Sequence, residues 1–224
     1  MLKLYPCMVV EGTELYKLWK KGKYKPLTTK QAGEIIAEAK KFIPPYVRIM
    51  RVQRDIPTYM TAAGVDRTNL RQYVEVLTKK EGIKCQCIRC REIGRAKNIG
   101  MPIIVALEYQ ASDGTEFFIQ AVDRYNNLFG FCRLRFPDKS LRKEITKNSA
   151  LVRELHVYGP AVAIGKKGAI QHTGLGKRLL DTAERIAKDN GKEKIIVISG
   201  IGVREYYRKS GYKLEGPYMV KKIK

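Results

Sequence analysis

The stretch from Gln171 to Gly191 constrains this chain most. Gln171-His172-Thr173-Gly174-Leu175-Gly176 opens a run in which Leu175, Leu179, Ala183, Ile186 and Ala187 recur at helical spacing, and Gly191 stands where a helix stop is expected. The first amides of a helix have no acceptor within the helix, and the positive end of its dipole lies beside them. Glycines at that point let a bulky anion approach the backbone. The turn therefore reads as a pyrophosphate cradle, although a Gly-x-Gly also serves as a plain helix cap. The amides of Leu175, Gly176, Lys177 and Arg178 are the expected donors, with the Lys177 and Arg178 side chains as added charge or as solvated surface. A strand-like run, Ile195–Gly200, follows the helix.

The rest of the back half fits strands around that helix. Ile103–Ala111, a Ser112-Asp113-Gly114 turn and Thr115–Val122 predict a hairpin. Leu128–Phe136 predicts a third strand with Leu128, Gly130, Cys132, Leu134 and Phe136 on one face. Leu151–Tyr158 and Ala161–Ile164 come next, then the helix, Ile195–Ser199, a helix over Gly202–Ser210 and strands around Leu214–Val220. Antiparallel strands followed by βαβα order give an α/β fold. The front half reads as a strand at Leu4–Val10, helices at Glu14–Lys20 and Gln31–Phe42, a strand at Tyr46–Val52 and a capped helix over Asn69–Lys80, with Thr28-Thr29 as the cap of the second helix. Strand–helix–strand order suggests a βαβ remnant. These patterns divide the chain into residues 1–84, a cysteine-rich linker at 85–100, and 101–224.

Charge bears on the partner. Of 224 residues, 44 are Lys or Arg and 22 Asp or Glu, a net charge of +22. That excess implies a polyanion, nucleic acid first, and it argues against basic proteins as substrates. It is spread over the chain, +9 in residues 1–84, +3 in 85–100 and +10 in 101–224, so it belongs to folded surface. Arg48, Arg51, Arg54, Arg67 and Arg71 cluster near Tyr46 and Tyr59; arginine forks suit phosphates and aromatic rings stack on splayed bases. No apolar run is long enough to span a bilayer and the first ten residues lack a secretory signal's architecture, so the expectation is a soluble cytoplasmic protein without a membrane partner. A homodimer is left open.

Three of the five cysteines fall within six residues, Cys85-x-Cys87-x-x-Cys90. That is no secreted disulfide framework. Three thiolates at this spacing can converge on one ion, and tetrahedral thiolate sites select zinc. The fourth ligand is open between His156 and Cys132. The site reads as structural.

Longer strings carry a resemblance. Glu154-Leu155-His156-Val157, the Gln171–Gly176 loop and Gly202-Val203-Arg204-Glu205-Tyr206-Tyr207-Arg208-Lys209-Ser210-Gly211-Tyr212 resemble the acetyl-CoA site of the Gcn5-related N-acetyltransferase superfamily. Arg153–Gly159, Val197-Ile198-Ser199-Gly200, Tyr206–Lys209, the Tyr5-Pro6-Cys7 and Gly12–Tyr16 strings, Pro44–Pro57, Asn69-Leu70-Arg71 and Cys85–Glu92 are similar to the Elongator catalytic-subunit family, which modifies the wobble uridine of tRNA. The resemblance covers nearly the whole chain. It implies an acetyltransferase α/β fold of the GNAT type preceded by a truncated tail of a radical S-adenosylmethionine barrel and a zinc-binding linker. It implies acetyl-CoA as donor, held by Glu154, Leu155, His156, Val157, Gln171, Gly174, Leu175, Gly176, Lys177, Arg178 and Tyr207, and tRNA as partner on the arginine cluster. Tyr206 and Tyr207 map onto the family's tyrosine pair, with Tyr207 expected at the donor sulfur and Glu154 as a candidate base. For adjacent tyrosines the plainer reading is one packed and one exposed, and for a strand glutamate an ion pair. The triplet of cysteines that would hold a [4Fe–4S] cluster is absent from these residues, so the cluster, S-adenosylmethionine and the radical step are expected only of the full-length protein with its N-terminal half. The alternative activity is lysine N-acetylation of proteins.

Overall fold

The computed structural model describes residues 1–159 and 174–223. The chain forms two compact units, Met1–Arg91 and Glu92–Lys224.

In the first unit, the strands are short. β1 (Leu2–Lys3) and β2 (Val9–Val10) flank Tyr5-Pro6-Cys7, where one longer strand was expected. Pro6 has no N–H to give to a ladder, which breaks the run. α1 (Glu14–Lys20) starts at Thr13, whose side chain accepts from the Tyr16 amide. α2 (Thr29–Ala39) begins at Thr28 with a complete capping box closed by Gln31, and its last turn tightens into a 3₁₀ segment at Lys40–Phe42 ahead of Pro44-Pro45. β3 (Ile49–Arg51) pairs in parallel with β1, which precedes the strand expected at Leu4–Val10. β4 (Thr61–Ala63) pairs antiparallel with β2. α3 (Leu70–Lys80) packs on α2, and Asn69 stands at its start without a side-chain capping bond. α4 (Ile88–Arg91) closes the unit. Ala32, Ile36, Ile49, Val52, Leu70, Val74 and Cys87 form one core, so the cysteine stretch belongs to this unit. These strands form two-stranded sheets, not a closed barrel.

In the second unit, β5 (Ile103–Ala111) and β6 (Gly114–Val122) form the expected hairpin. Ser112 and Asp113 both take positive φ, 47° and 58°, the conformation that matches the right-handed twist of a two-residue hairpin. β7 (Leu128–Phe136) and β8 (Ser149–Val157) continue the antiparallel run. α5 (Leu175–Asp189) then crosses over to β9 (Lys194–Val197), which pairs in parallel with β8. A 3₁₀ turn at Ile201–Val203 leads into α6 (Arg204–Lys209), and β10 (Lys213–Glu215) and β11 (Tyr218–Lys222) complete the sheet. The seven strands lie in the order β10-β11-β9-β8-β7-β6-β5. Leu175, Leu179, Leu180, Ala183 and Ala187 of α5 bury against Ile119, Cys132, Leu134, Val152 and Ile195 of the sheet. The expected strand at Ala161–Ile164 lies outside the described residues. No helix of the described residues is long and apolar enough to cross a membrane.

Candidate functional site

The candidate donor site lies where two neighbouring strands part. β8 and β9 are paired only from Ser149–Val152 to Lys194–Val197, and the last tie is the Ile198 amide to the Val152 carbonyl at 3.3 Å. Beyond it β8 continues to Val157 on β7 alone. A bulge marks the branch: Glu154 pairs with Arg133 and Val152 with Leu134, which leaves Arg153 as the extra residue. The bulge frees the Arg153 side chain to reach across to Glu116 at 2.6 Å. Among the described residues, the β9-facing main-chain edge of Arg153–Val157 therefore has no strand partner. Those residues were read as the donor strand.

The N-terminus of α5 points into that opening. Gly174 is its N-cap, left-handed at φ 76°, with no side-chain capping bond. The first intrahelical bond runs from the Arg178 amide to the Gly174 carbonyl at 3.0 Å, so the amides of Leu175, Gly176 and Lys177 have no acceptor in the helix. Gly176 has a steric reason as well. A Cβ there would stand 3.1 Å from the Tyr206 hydroxyl and 3.5 Å from Val157 Cγ2. Helix end, donor strand and a phenol thus meet at one glycine. Gln171 lies outside the described residues. Lys177 is held by both carboxylate oxygens of Asp181, one turn on, at 2.9 and 3.0 Å, so its charge is already answered.

The tyrosine pair divides in two. Tyr207 is 6% exposed in the core, edge-on to Tyr212, and burial pushes its hydroxyl up to about 12. Tyr206 is 39% exposed and its hydroxyl is the one beside Gly176. Burial, then the charge of Asp181, raise the Tyr206 phenol, which keeps it protonated near neutral pH. The two rings meet edge to face at 5.2 Å. The phenol at the opening is thus Tyr206's, where the sequence had pointed to Tyr207.

Glu154 is engaged elsewhere. Its carboxylate accepts from Arg133 Nε at 3.0 Å, and the Arg133 guanidinium lies 5.2 Å over each of the Phe118 and Phe131 rings. That pairing favours the ion-pair reading of Glu154 over the base. Nothing in the sequence pointed to Arg133. His156 stacks on Phe131 at 6.0 Å and tilts onto Tyr158 at 4.5 Å.

The three expected thiols do converge. The sulfurs of Cys85, Cys87 and Cys90 lie within 4.8 Å of one another. Thiolates at about 2.3 Å from a tetrahedral zinc stand roughly 3.8 Å apart, so a small contraction would close them on one ion. Hydrogen bonds from the thiols of Cys85 and then Cys90 pull the Cys87 thiol far down, and the hydrogen bond it takes from Cys85 pushes that thiol far up. Arg91 fixes the loop by donating to the Gln86 carbonyl at 2.8 Å and the Pro45 carbonyl at 2.9 Å. Cys132 is fully buried in the core of the second unit, where burial pushes its thiol up to about 12. His156 belongs to the second unit.

Of the five arginines, three line one cavity. Arg51, Arg54 and Arg71 surround a space of about 430 Å³ together with Gln53 and Asp55. Arg71 donates to the Met50 carbonyl at 2.9 Å, and Arg51 pairs with Asp55. Arg54 lies 5.7 Å over the Tyr5 ring. Arg67 lies 5.6 Å over Tyr73 and Arg48 stands apart from the lining.

Comparison with known proteins gives the family. The profile of the Acetyltransferase (GNAT) family matches residues 91–212, and that of the Radical_SAM C-terminal domain matches residues 1–80. The chain belongs to the GNAT acetyltransferase family. It is 51% identical over 99% of its length to a tRNA uridine(34) acetyltransferase of Methanocaldococcus jannaschii and 42% identical over its whole length to human Elongator complex protein 3. It spans 43% of each of those relatives. A solved structure of archaeal Methanocaldococcus infernus Elp3 with an N-terminal deletion superimposes with a TM-score of 0.90 at 48% identity, over 98% of this chain and 55% of that one. With these relatives, the α/β fold and the family resemblance stand.

Proposed function

We propose that this chain is the acetyl-donor part of a tRNA uridine(34) acetyltransferase, taking the acetyl group from acetyl-CoA in response to bound tRNA. The observation that carries the reading is the meeting of three groups at Gly176: the open amides of α5, the unpaired edge of β8 and the Tyr206 hydroxyl. The relatives named for that activity support it. The amides of Leu175–Lys177 bind the donor's pyrophosphate. The main chain of Glu154–Val157 pairs with the pantetheine arm as a strand would and polarises the thioester carbonyl. Water adds to the thioester carbonyl carbon and gives its proton to solvent; the C–S bond breaks as acetate forms, the departing thiolate takes the Tyr206 proton, and solvent restores the phenol. Tyr207 backs the Tyr206 ring from the core. Arg51, Arg54 and Arg71 hold tRNA phosphates. Cys85, Cys87 and Cys90 hold a structural zinc ion.

Free thiol released from acetyl-CoA tests the reading. The expected result is release that depends on bulk tRNA. Release with a lysine peptide and none with tRNA would move the chain to protein acetylation. No binding of acetyl-CoA at all would overturn the donor site.

A further inference from the structure

The arginine cavity does not end at the arginines. A second cavity, of about 410 Å³, is lined by Tyr5, Cys7, Thr13, Leu15, Arg54 and Ile56. Arg54 and Ile56 also line the first. The two spaces therefore share one wall, and in that wall Arg54 is stacked on Tyr5. The second cavity opens onto the start of α1, because Thr13 is the α1 cap and Leu15 is in its first turn.

α1 buries none of its residues fully. It carries Trp19, the one tryptophan of the chain, with the Tyr16 ring 5.7 Å away at 43°. The Lys20 ammonium lies 5.5 Å over Tyr16 and 5.6 Å over Trp19. From Lys17 to Lys30 the sequence has six lysines and no carboxylate. Lys17 and Lys30 pair with Glu14 and Glu34; Lys20, Lys21, Lys23 and Lys25 have no ion pair among the described residues. Four exposed, unanswered ammonium groups next to two half-buried rings are costly to cover with protein, because burial would strip their hydration without a partner. They match a polyanion whose units also carry flat faces.

We infer that the arginine cavity, the Tyr5–Arg54 stack and the Tyr16–Trp19–Lys20 platform form one continuous track for unpaired RNA nucleotides. The lysines of 20–25 take phosphates, and a base stacks on Trp19 in place of water. This inference rests on the tRNA reading above and extends it to a surface that reading did not use.

Trp19 is its own reporter. Titrating the whole chain with a short single-stranded oligouridine should quench tryptophan fluorescence as the base stacks. Lys20→Glu/Lys21→Glu/Lys23→Glu should weaken binding and lower the slope of log affinity against log salt by about 2, since each single-strand phosphate contact contributes roughly 0.7. Trp19→Ala should weaken binding about 5- to 150-fold, the span for loss of one base stack. Calorimetric binding of acetyl-CoA by these variants should match the parent, and so should their far-ultraviolet circular dichroism and melting temperature, which shows that both units fold. Oligouridine binding with silent Trp19 and an unchanged salt slope in the lysine variant would overturn the track and leave the donor reading intact. An RNA duplex that quenches Trp19 as strongly as the single strand would overturn the assignment to unpaired nucleotides. If the parent chain bound no RNA, this inference and the tRNA part of the proposed function would fall together, and acetyl-CoA binding would tell that failure from a failed donor site.

Discussion

Two adjacent tyrosines have different tasks because a helix turns its neighbours by about a quarter of a circle. Tyr207 looks into the core and Tyr206 into the opening beside Gly176. Tyr206→Phe should therefore lower tRNA-dependent thiol release about 100-fold, within the range for loss of a general acid, with the melting temperature unchanged. Tyr207→Ala should act the other way, lowering the melting temperature through loss of a buried ring, about 3–5 kcal/mol in urea denaturation. Gly176→Ala places a methyl 3.1 Å from the Tyr206 hydroxyl, so the expected outcome is weaker acetyl-CoA binding in calorimetry with little loss of stability. The strings around Tyr206 and Tyr207 singled out the pair in the sequence, but not which member lies beside Gly176. Adjacent phenols differ only in the direction the helix gives them, and that direction depends on how α6 sits against the sheet.

At the scale of elements, the β6–β7 turn shows how a charge can hold a fold. Asp123 accepts from the amides of Gly100, Tyr125 and Asn127 and from the Asn127 side chain, all within 2.8–3.0 Å. Burial alone would raise its carboxyl; those hydrogen bonds outweigh it and hold the group below its ordinary value. A carboxyl depressed in the folded state stabilises above its unfolded pKa, near 3.9, and loses that contribution as pH falls through the lower folded value. The parent should thus lose stability on acidification below about pH 4, and Asp123→Asn should flatten that loss, as read from urea midpoints against pH. In the other unit α2 and α3 touch at Gly33, where a Cβ would come 2.5 Å from Tyr73 Cε1. Gly33→Ala should cost about 1–3 kcal/mol by overpacking, unless Tyr73 swings out. The periodicity of both helices was visible in the sequence; the need for glycine at their contact was not, since it follows from how closely two axes approach.

At the scale of the molecule, charge and the thiol trio set the conditions under which the chain works. A net charge of +22 and an arginine-lined cavity predict tRNA affinity that falls steeply with salt, while acetyl-CoA affinity, fixed largely by oriented amides, falls less. The three thiols predict one zinc per chain by metal analysis. A strong chelator should lower the melting temperature of the Met1–Arg91 unit, and Cys87→Ser should remove both the metal and the chelator's effect.

By itself the sequence determined most elements of the second unit and their order: the 3.6-residue period of α5, the one-faced pattern of Leu128–Phe136, the glycine stop at Gly191 and the clustering of three thiols are local properties that need no partner to be seen. It also carried the family likeness, because long strings around Arg153, Tyr206 and Cys85 are chemically specific. Only the tertiary structure decided where β8 leaves β9, that Arg153 is the bulged residue, that Arg133 occupies Glu154, and that Arg54 lies between two cavities. Each of these joins residues far apart in sequence through one side of a strand or one face of a helix, and which side faces inward is settled only when the whole sheet has packed.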